Sequence, residues 1–184
     1  MTGLDTDNDT ILSIACFITG PNLELLDEEG YTAVIHHDKE ALDKMGEWCT
    51  EHHGSSGLTA AALASTTTAE DAASELLAYV QKYVPRRHTA LLAGNTVHMD
   101  KMFLVKEPYK PVMKHLHHRI LDVSAIKEAA RRWCSEEVLR GIPRKKGLHE
   151  ARQDILESIE EARYYREVIF RKGGGRRERE EEKD

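Results

Sequence analysis

The stretch Ile11 to Ile18, which reads ILSIACFI, decides the fold class of this 184-residue chain. Its near-continuous run of apolar and branched residues is typical of a buried strand. Further strands are predicted at Tyr31 to His36, Ala90 to Ala93 and Ile120 to Val123. Because helical patterns alternate with the later strands, the sequence predicts an α/β fold with a mixed sheet flanked by helices.

Helical periodicity fills most of the segments between and after these strands. The predicted helices are Glu40 to His53, the helix that begins at the capping-box pattern Thr67 to Glu70 and ends before Pro85, Lys101 to Met113, Ser124 to Trp133, and His149 to Phe170. Ser124 is predicted to cap the fourth of them. Apolar periodicity predicts a core face of Ala72, Leu76, Leu77, Val80 and Val84 in the second helix, and an inner face of Ile155, Ile159, Ala162, Tyr165 and Ile169 in the fifth. The charged, low-complexity segment 171–184 cannot bury apolar surface, so it is predicted to be a disordered tail.

Composition limits the kinds of protein that this chain can be. A net charge of -6 with 40% hydrophobic residues indicates a globular chain and argues against a duplex binder that relies on massed positive charge. A binder of very short nucleic acid needs few phosphate contacts and stays possible. Three cysteines without a Cys-x-x-Cys motif argue against a disulfide framework and favour a reducing, intracellular compartment. No apolar run has membrane-spanning length, so no membrane partner is expected.

Three side chains suited to metal binding or proton transfer stand at predicted strand or helix ends, namely Asp100, His149 and Asp154. Carboxylate oxygens suit hard divalent ions, and a histidine can take a proton from an attacking water near neutral pH. Phosphodiester hydrolysis with two metal ions needs such a set. Each residue also has a structural alternative. Asp100 can be a helix N-cap, Asp154 a first-turn partner of the helix dipole, and His149 an ordinary first-turn polar residue.

Several short segments, taken in order, resemble the oligoribonuclease family of small 3'-to-5' exonucleases, which use four carboxylates and one histidine. The segments that carry the resemblance are Met1 to Asp5 (MTGLD), Trp48 with His53 and Ser56 to Leu58, Gly94 to Asp100 with Phe103 and Leu104, His117 to Lys127 (HHRILDVSAIK), and His149 to Ile159 followed by Arg163 to Glu167. Each motif is weak alone, but the series spans most of the chain. The resemblance implies a ribonuclease-H-like exonuclease domain over residues 1–170.

The resemblance also implies roles for the matching residues. His149 would be the general base, Asp154 a metal ligand, and Asp100 a support for the second of two divalent ions, Mg²⁺ or Mn²⁺. The substrate-binding residues that it implies are Leu4, Trp48, His53, Asn95, Thr96, His118, Arg119, Ser124 and Lys127. Leu4 matches a wedge against the 3'-terminal bases, whereas the segment Arg119 to Lys127 matches a cap on the 5'-phosphate of a dinucleotide.

Packing offers an alternative for several of these residues. Trp48 can belong to the core, and Leu4 can be ordinary packing. Arg119 can form a surface ion pair, and Ser124 can be an N-cap without any ligand.

Two differences from the family pattern matter for activity. In the family an Asp-Leu-Glu sequence precedes the segment that matches Met1 to Asp5. The chain is therefore expected to begin inside the first catalytic motif, with a truncated first strand and without two of the four carboxylates. His118 stands where the family has a Tyr that reaches the neighbouring subunit of a homodimer.

The resemblance implies a 3'-to-5' exoribonuclease that degrades dinucleotides to about pentanucleotides to mononucleotides. Its partners would be short single-stranded RNA, especially 5'-phosphorylated dinucleotides, and a second copy of the chain, in mitochondria and/or the cytoplasm. Residues 1–184 as they stand are expected to be weakly active or inactive. One alternative is a catalytically impaired dimeric domain that binds short oligonucleotides. Another is an exonuclease-fold protein that acts on DNA or another phosphodiester.

Overall fold

The structure is a computed structural model that describes residues 1–144 and 151–171. The strands are β1 Ser13–Cys16, β2 Tyr31–Val34, β3 Leu92–Gly94 and β4 Ile120–Asp122. The helices are α1 Lys39–Leu42, α2 Glu47–Ser55, α3 Leu58–Ala64, α4 Ala69–Tyr83, α5 Val97–Leu104, α6 Lys110–His115, α7 Val123–Trp133, α8 Glu136–Arg140 and α9 Ala151–Tyr165, which continues as a π-helix over Arg166–Arg171. Within these described residues, no helix is both long and apolar enough to cross a membrane. His149 and the predicted tail from residue 172 onward lie outside them.

The strands form one antiparallel pair and one parallel pair. β1 pairs with β2 in antiparallel register, with Ser13 opposite Val34. β3 pairs with β4 in parallel register, with Leu92 opposite Ile120. The predicted α/β class is confirmed, and the two pairs form separate sheets in the described part of the chain.

Apolar side chains of α4 and α6 join the two sheets. Leu76 and Val80 of α4 form a buried cluster with Val112 of α6 and with Leu116, the residue after this helix. Half-buried side chains of both sheets, including Ile14 of β1 and Leu92 of β3, pack against this cluster. The predicted core face of this helix is therefore confirmed, and it fixes the position of one sheet relative to the other.

The start of α4 lies one residue later than the predicted capping box. Thr68 is the N-cap, and its hydroxyl accepts a hydrogen bond from the Asp71 N–H at 3.0 Å. The Asp71 carboxylate accepts one from the Thr68 N–H at 3.3 Å. The prediction of Thr67 and Glu70 as the pair is wrong because the Thr67 carbonyl already accepts a hydrogen bond from the His36 N–H at 2.8 Å, which keeps Thr67 in the preceding loop.

Replacing the Thr68 hydroxyl tests the assignment of Thr68 as the N-cap of α4. Thr68→Ala is expected to lower the free energy of unfolding by about 1 kcal/mol, because it removes an N-cap side chain. Thr67→Ala is the matched control and is expected to cost less than half as much. Urea denaturation of both variants measures the difference, and equal losses would contradict the assigned N-cap.

Two predicted helices are each divided in the structure. The predicted helix Glu40 to His53 is separated into α1 and α2, because Gly46 has an extended backbone and begins α2 as its N-cap. Lys101 to Met113 is divided between α5 and α6. The short helix α3 was not predicted. It follows Gly57, whose φ of 78° is a left-handed conformation that favours glycine.

Trp48 on α2 is 57% exposed, which excludes the core alternative for this residue.

The buried face of α9 carries two polar residues. The buried positions of this helix are Ser158, Glu161, Ala162 and Tyr165, with the three- and four-residue spacing of one helix face. Ala162 and Tyr165 confirm the predicted inner face, whereas the polar pair was not predicted to be buried. Tyr165 and Ala162 pack against Val123 and Ala130 of α7. This contact brings Glu161 into the interior between α7 and α9.

Candidate active site

The carboxyl ends of β3 and β4 bring two loops side by side, as expected for neighbouring parallel strands. β3 leads through Asn95 and Thr96 into α5, and β4 ends at Asp122 and leads into α7. Thr96 has a φ of 54°, which is uncommon for a residue other than glycine. Its N–H donates to Asp122 Oδ1 at 3.1 Å and to Ser124 Oγ at 3.0 Å. These bonds stabilise the left-handed turn and connect the starts of the two helices.

Asp122 is the N-cap of α7, so the prediction that Ser124 caps this helix is wrong. The Asp122 carboxylate accepts a hydrogen bond from the Ser124 N–H at 2.9 Å, because an aspartate at the strand end reaches the N–H two residues ahead. The Ser124 hydroxyl instead faces the Thr96 hydroxyl at 3.2 Å. His98 Nδ1 lies 3.2 Å from Asp122 Oδ2. Burial alone would raise the pKa of Asp122, but hydrogen bonds from His98 and from the Ser124 and Thr96 amides outweigh burial and lower it.

Asp100 lies beside the first residue of the chain. The N-cap of α5 is Thr96, which excludes the alternative that Asp100 caps this helix. Asp100 is exposed, yet partial burial of its carboxyl raises its pKa, while the Met1 amino group acts in the opposite direction. Burial lowers the pKa of this amino group, and Cys49, Asp100 and Asp9 act in the opposite direction. Met1 therefore lies near the first turn of α5, which holds Asp100, and near α2, which carries Cys49.

Three predicted substrate-binding residues lie around this chain start. His53 Nε2 is 3.0 Å from the Met1 carbonyl oxygen, to which it donates. The Trp48 ring stacks on the His52 ring with centroids 4.0 Å apart and meets the His53 ring edge-on at 6.4 Å. Leu4 is 69% exposed, which argues against the ordinary-packing alternative. The apolar surfaces of Leu4 and Trp48 are thus open to a ligand.

Asp154 lies in the first turn of α9 and is half-buried. Its carbonyl oxygen accepts a hydrogen bond from the Ser158 hydroxyl at 2.7 Å. The predicted general base, His149, lies outside the described residues. The predicted convergence of Asp100, His149 and Asp154 therefore stays a prediction.

The predicted phosphate-cap segment begins at the exposed Arg119, which follows two stacked histidines. The His117 and His118 rings stack with centroids 4.2 Å apart, and Lys101 Nζ donates to the His118 carbonyl at 3.0 Å. The Arg119 backbone N–H donates to His117 Nδ1 at 3.0 Å. In the part of the chain that the structure describes, the exposed Arg119 guanidinium forms no ion pair, so the ion-pair alternative has no support there.

Two other predicted substrate-binding residues meet a buried carboxylate that the sequence analysis missed. Glu161 is 1% exposed, and its oxygens accept hydrogen bonds from Asn95 Nδ2 at 3.1 Å and the Tyr165 hydroxyl at 3.0 Å. Lys127 Nζ lies 3.1 Å from Glu161 Oε1. Burial would raise the pKa of Glu161, but these three partners outweigh burial and lower it.

A sequence signal for Glu161 existed, because it stands beside Ala162 and four residues before Tyr165, both of which belong to the predicted inner face of the last helix. A charged residue at such a position needs a buried partner. Lys127 is that partner, so its ammonium is partly committed to Glu161. Its predicted phosphate contact stays a prediction.

Comparisons with known proteins identify the family to which the chain belongs. An exonuclease family model (RNase_T) matches residues 1–162. Mitochondrial oligoribonucleases of Bos taurus and Homo sapiens are each 49% identical to the chain over 173 residues, which cover 94% of this chain and 71% of each relative. The chain belongs to the oligoribonuclease family. The oligoribonuclease of Halorhodospira halophila is 45% identical over 172 residues, or 93% of this chain and 91% of that relative.

The resemblance inferred from the sequence motifs is therefore confirmed. The share of a relative that the chain spans varies within the oligoribonuclease family. The mitochondrial oligoribonuclease of Saccharomyces cerevisiae is 47% identical over 171 residues, and the match covers 90% of this chain and 63% of that relative.

The described residues do not complete the two-ion site that the oligoribonuclease resemblance implies. Such a site needs several carboxylates or histidines at one point. Among residues 1–144 and 151–171, no group of three or more His, Cys, Asp or Glu side chains is placed to hold a metal ion. Asp100 and Asp154 alone are not such a group.

Proposed function

We propose that this chain is a 3'-to-5' exoribonuclease that degrades dinucleotides to about pentanucleotides to mononucleotides. The observation that carries the proposal is 45% to 49% identity, over 93% to 94% of the chain, with relatives named oligoribonuclease. The exonuclease family match over residues 1–162 supports the same reaction class.

The proposed preference for very short RNA rests on the junction of α5 and α7. Their N-termini carry partial positive charge, and the Thr96 and Ser124 hydroxyls lie there 3.2 Å apart. The oxygens of Asp122 are occupied by protein donors, which reduces their repulsion of an anion. Together with the exposed Arg119, these groups would bind the 5'-phosphate of a dinucleotide, with Lys127 and His118 at the border of the site. A longer RNA would collide with this cap.

We propose that Leu4, Trp48 and His53 contact the bases at the 3' end, because exposed apolar and aromatic side chains stack on bases of any sequence. Asn95 would lie between this surface and the phosphate cap, next to Thr96 of the cap. Hydrolysis would require Mg²⁺ or Mn²⁺, with Asp154 and Asp100 as ligands, since hard ions prefer carboxylate oxygens. His149 would act as the general base.

A catalytically impaired dimer that binds short oligonucleotides is the second candidate. It is favoured by the lack of a three-residue metal-binding group among the described residues. A pentanucleotide labelled at its 5' end and incubated with equimolar chain and Mn²⁺ separates the two candidates. Stepwise shortening from the 3' end supports the exoribonuclease. Intact RNA that elutes with the protein supports the impaired binder, and intact RNA that elutes alone contradicts both.

The chain is expected to form a homodimer near the segment that contains His118. Leu121 and Trp133 are exposed by 36% and 81%, and apolar surface of this kind is commonly covered in a two-fold interface. Light scattering at micromolar concentration is expected to report twice the 20.9 kDa mass of one chain. A monomer would contradict the proposed assembly.

We propose a mitochondrial and/or cytoplasmic location. The names of the Bos taurus, Homo sapiens and Saccharomyces cerevisiae relatives include the mitochondrion. Cys16, Cys49 and Cys134 are all free thiols, as expected in a reducing compartment.

A further inference from the structure

Glu161 is a buried carboxylate whose partners come from three different elements of the fold. Asn95 belongs to the loop between β3 and α5, Lys127 to α7, and Tyr165 to α9 itself. All three contacts measure between 3.0 and 3.1 Å. Buried ion pairs are often no more stabilising than apolar packing of the same volume. Stability alone therefore does not explain why a charged residue is buried at the contact between α9, α7 and the loop before α5.

The position of Glu161 on α9 relates it to Asp154. The two residues are seven positions apart, which places them about two turns apart and about 20° from alignment on the same helix face. A contact that fixes Glu161 therefore fixes both the rotation of α9 and its position along the axis. Any shift of this contact would move Asp154 as well.

The contact with Asn95 joins Glu161 to the loop that leads into α5. A carboxylate only accepts hydrogen bonds when ionised, so it must face Asn95 Nδ2 and not Oδ1. Asn95 Oδ1 is then left buried without a hydrogen-bond partner among the described residues. The amide orientation of Asn95 is therefore set by Glu161, because the opposite orientation would place two acceptors against each other. The next residue, Thr96, is the N-cap of the helix that carries Asp100.

We propose that Glu161 is a positioning residue that holds the Asp154-bearing helix against the Asp100-bearing helix and fixes the orientation of the Asn95 side chain. The inference rests on the proposed function, because Asn95 is assigned there to the substrate site. Glu161 itself contacts no reacting atom. Its influence passes through Asn95, Lys127 and the helix α9.

The test compares Glu161→Gln with two control variants of the 184-residue chain. Tyr165→Phe removes another hydrogen bond to the same carboxylate and controls for loss of stability. Glu160→Gln changes an exposed neighbour on the same helix. The readouts are the dissociation constant of a 5'-phosphorylated dinucleotide by calorimetry and amide hydrogen exchange by mass spectrometry, both well below the unfolding temperature.

Glu161→Gln is expected to weaken dinucleotide binding about tenfold, which corresponds to about 1.4 kcal/mol. It is also expected to speed amide exchange about tenfold in residues 94–100 and 151–157, where local opening follows loss of the anchoring contact. Both controls should stay within about twofold of the parent chain in both readouts, an expected free-energy change below about 0.5 kcal/mol. Should Glu161→Gln lose its cooperative unfolding transition, Glu161→Asp replaces it, because it keeps the charge but shortens the reach.

Unchanged exchange in both segments, or equal effects of Tyr165→Phe and Glu161→Gln, would overturn the positioning role. If the parent chain does not bind the dinucleotide, the proposed function fails. The exchange result then decides the positioning role by itself.

Discussion

Adding Asp-Leu-Glu directly before Met1 is expected to raise the rate of dinucleotide hydrolysis by about 1,000-fold or more, which corresponds to about 4 kcal/mol of transition-state stabilisation. The Met1 amino group lies close enough to Asp100 to affect the pKa of that carboxyl. Carboxylates attached at this point would therefore lie beside Asp100. Two divalent ions need several such groups to offset their mutual repulsion, and the described residues do not supply three at one point.

An extension with Asn-Leu-Gln is the matched control, since it has the same length and nearly the same shape without the charges. It is expected to give no gain in rate. His149→Ala in the Asp-Leu-Glu chain is expected to remove the gain again, because the general base is lost. The rate of mononucleotide release in Mg²⁺ or Mn²⁺ is measured for these three proteins and for residues 1–184. Cleavage by residues 1–184 as fast as by the extended chain would show that the metal ligands are assigned to the wrong residues.

Arg119→Ala is expected to weaken binding of a 5'-phosphorylated dinucleotide by about 1.5–3 kcal/mol, the range for a lost hydrogen bond to a charged group. The Arg119 guanidinium is exposed and forms no ion pair within the described part of the chain, so the variant loses no ion pair there. Calorimetric titration of the 184-residue chain measures the change.

Two controls separate phosphate recognition from general charge. Arg131→Ala removes an exposed arginine of α7 whose guanidinium already pairs with Glu128 at 2.8 Å, and it is expected to leave affinity nearly unchanged. A dinucleotide without its 5'-phosphate should bind the Arg119→Ala variant and the parent chain with similar affinity. Equal losses for the phosphorylated and unphosphorylated ligands would contradict a role for Arg119 in capping the phosphate.

The sequence predicted elements well where local chemistry and periodicity agree. The helix α4 has an apolar face, a capping box and a following Pro85, and its core face is confirmed. The capping box was predicted one residue too early, because Thr67 and Thr68 are each followed, three residues later, by an acidic side chain. Only the contact of Thr67 with His36, which comes from a distant loop, decides between them. Local patterns cannot contain that information.

The candidate site was predicted less completely, because its contacts join distant parts of the chain. The positions of Asp100 and Thr96 follow from the strand that precedes them. The proximity of Asp100 to Met1 depends on how the first residues fold back, and it has no local signal. Glu161 stands beside the predicted inner face, but its burial and its pairing with Lys127 depend on how α7 and α9 pack.

The preference for very short RNA is tested most directly by one pair of dissociation constants. The 184-residue chain is titrated with a 5'-phosphorylated dinucleotide and with a 5'-phosphorylated heptanucleotide that has the same 3' end. The dinucleotide is expected to bind at least about tenfold more tightly, or by about 1.4 kcal/mol, because its phosphate reaches the cap formed around Arg119, Ser124 and Thr96. Equal affinities, or tighter binding of the heptanucleotide, would contradict the cap and the proposed preference for short RNA.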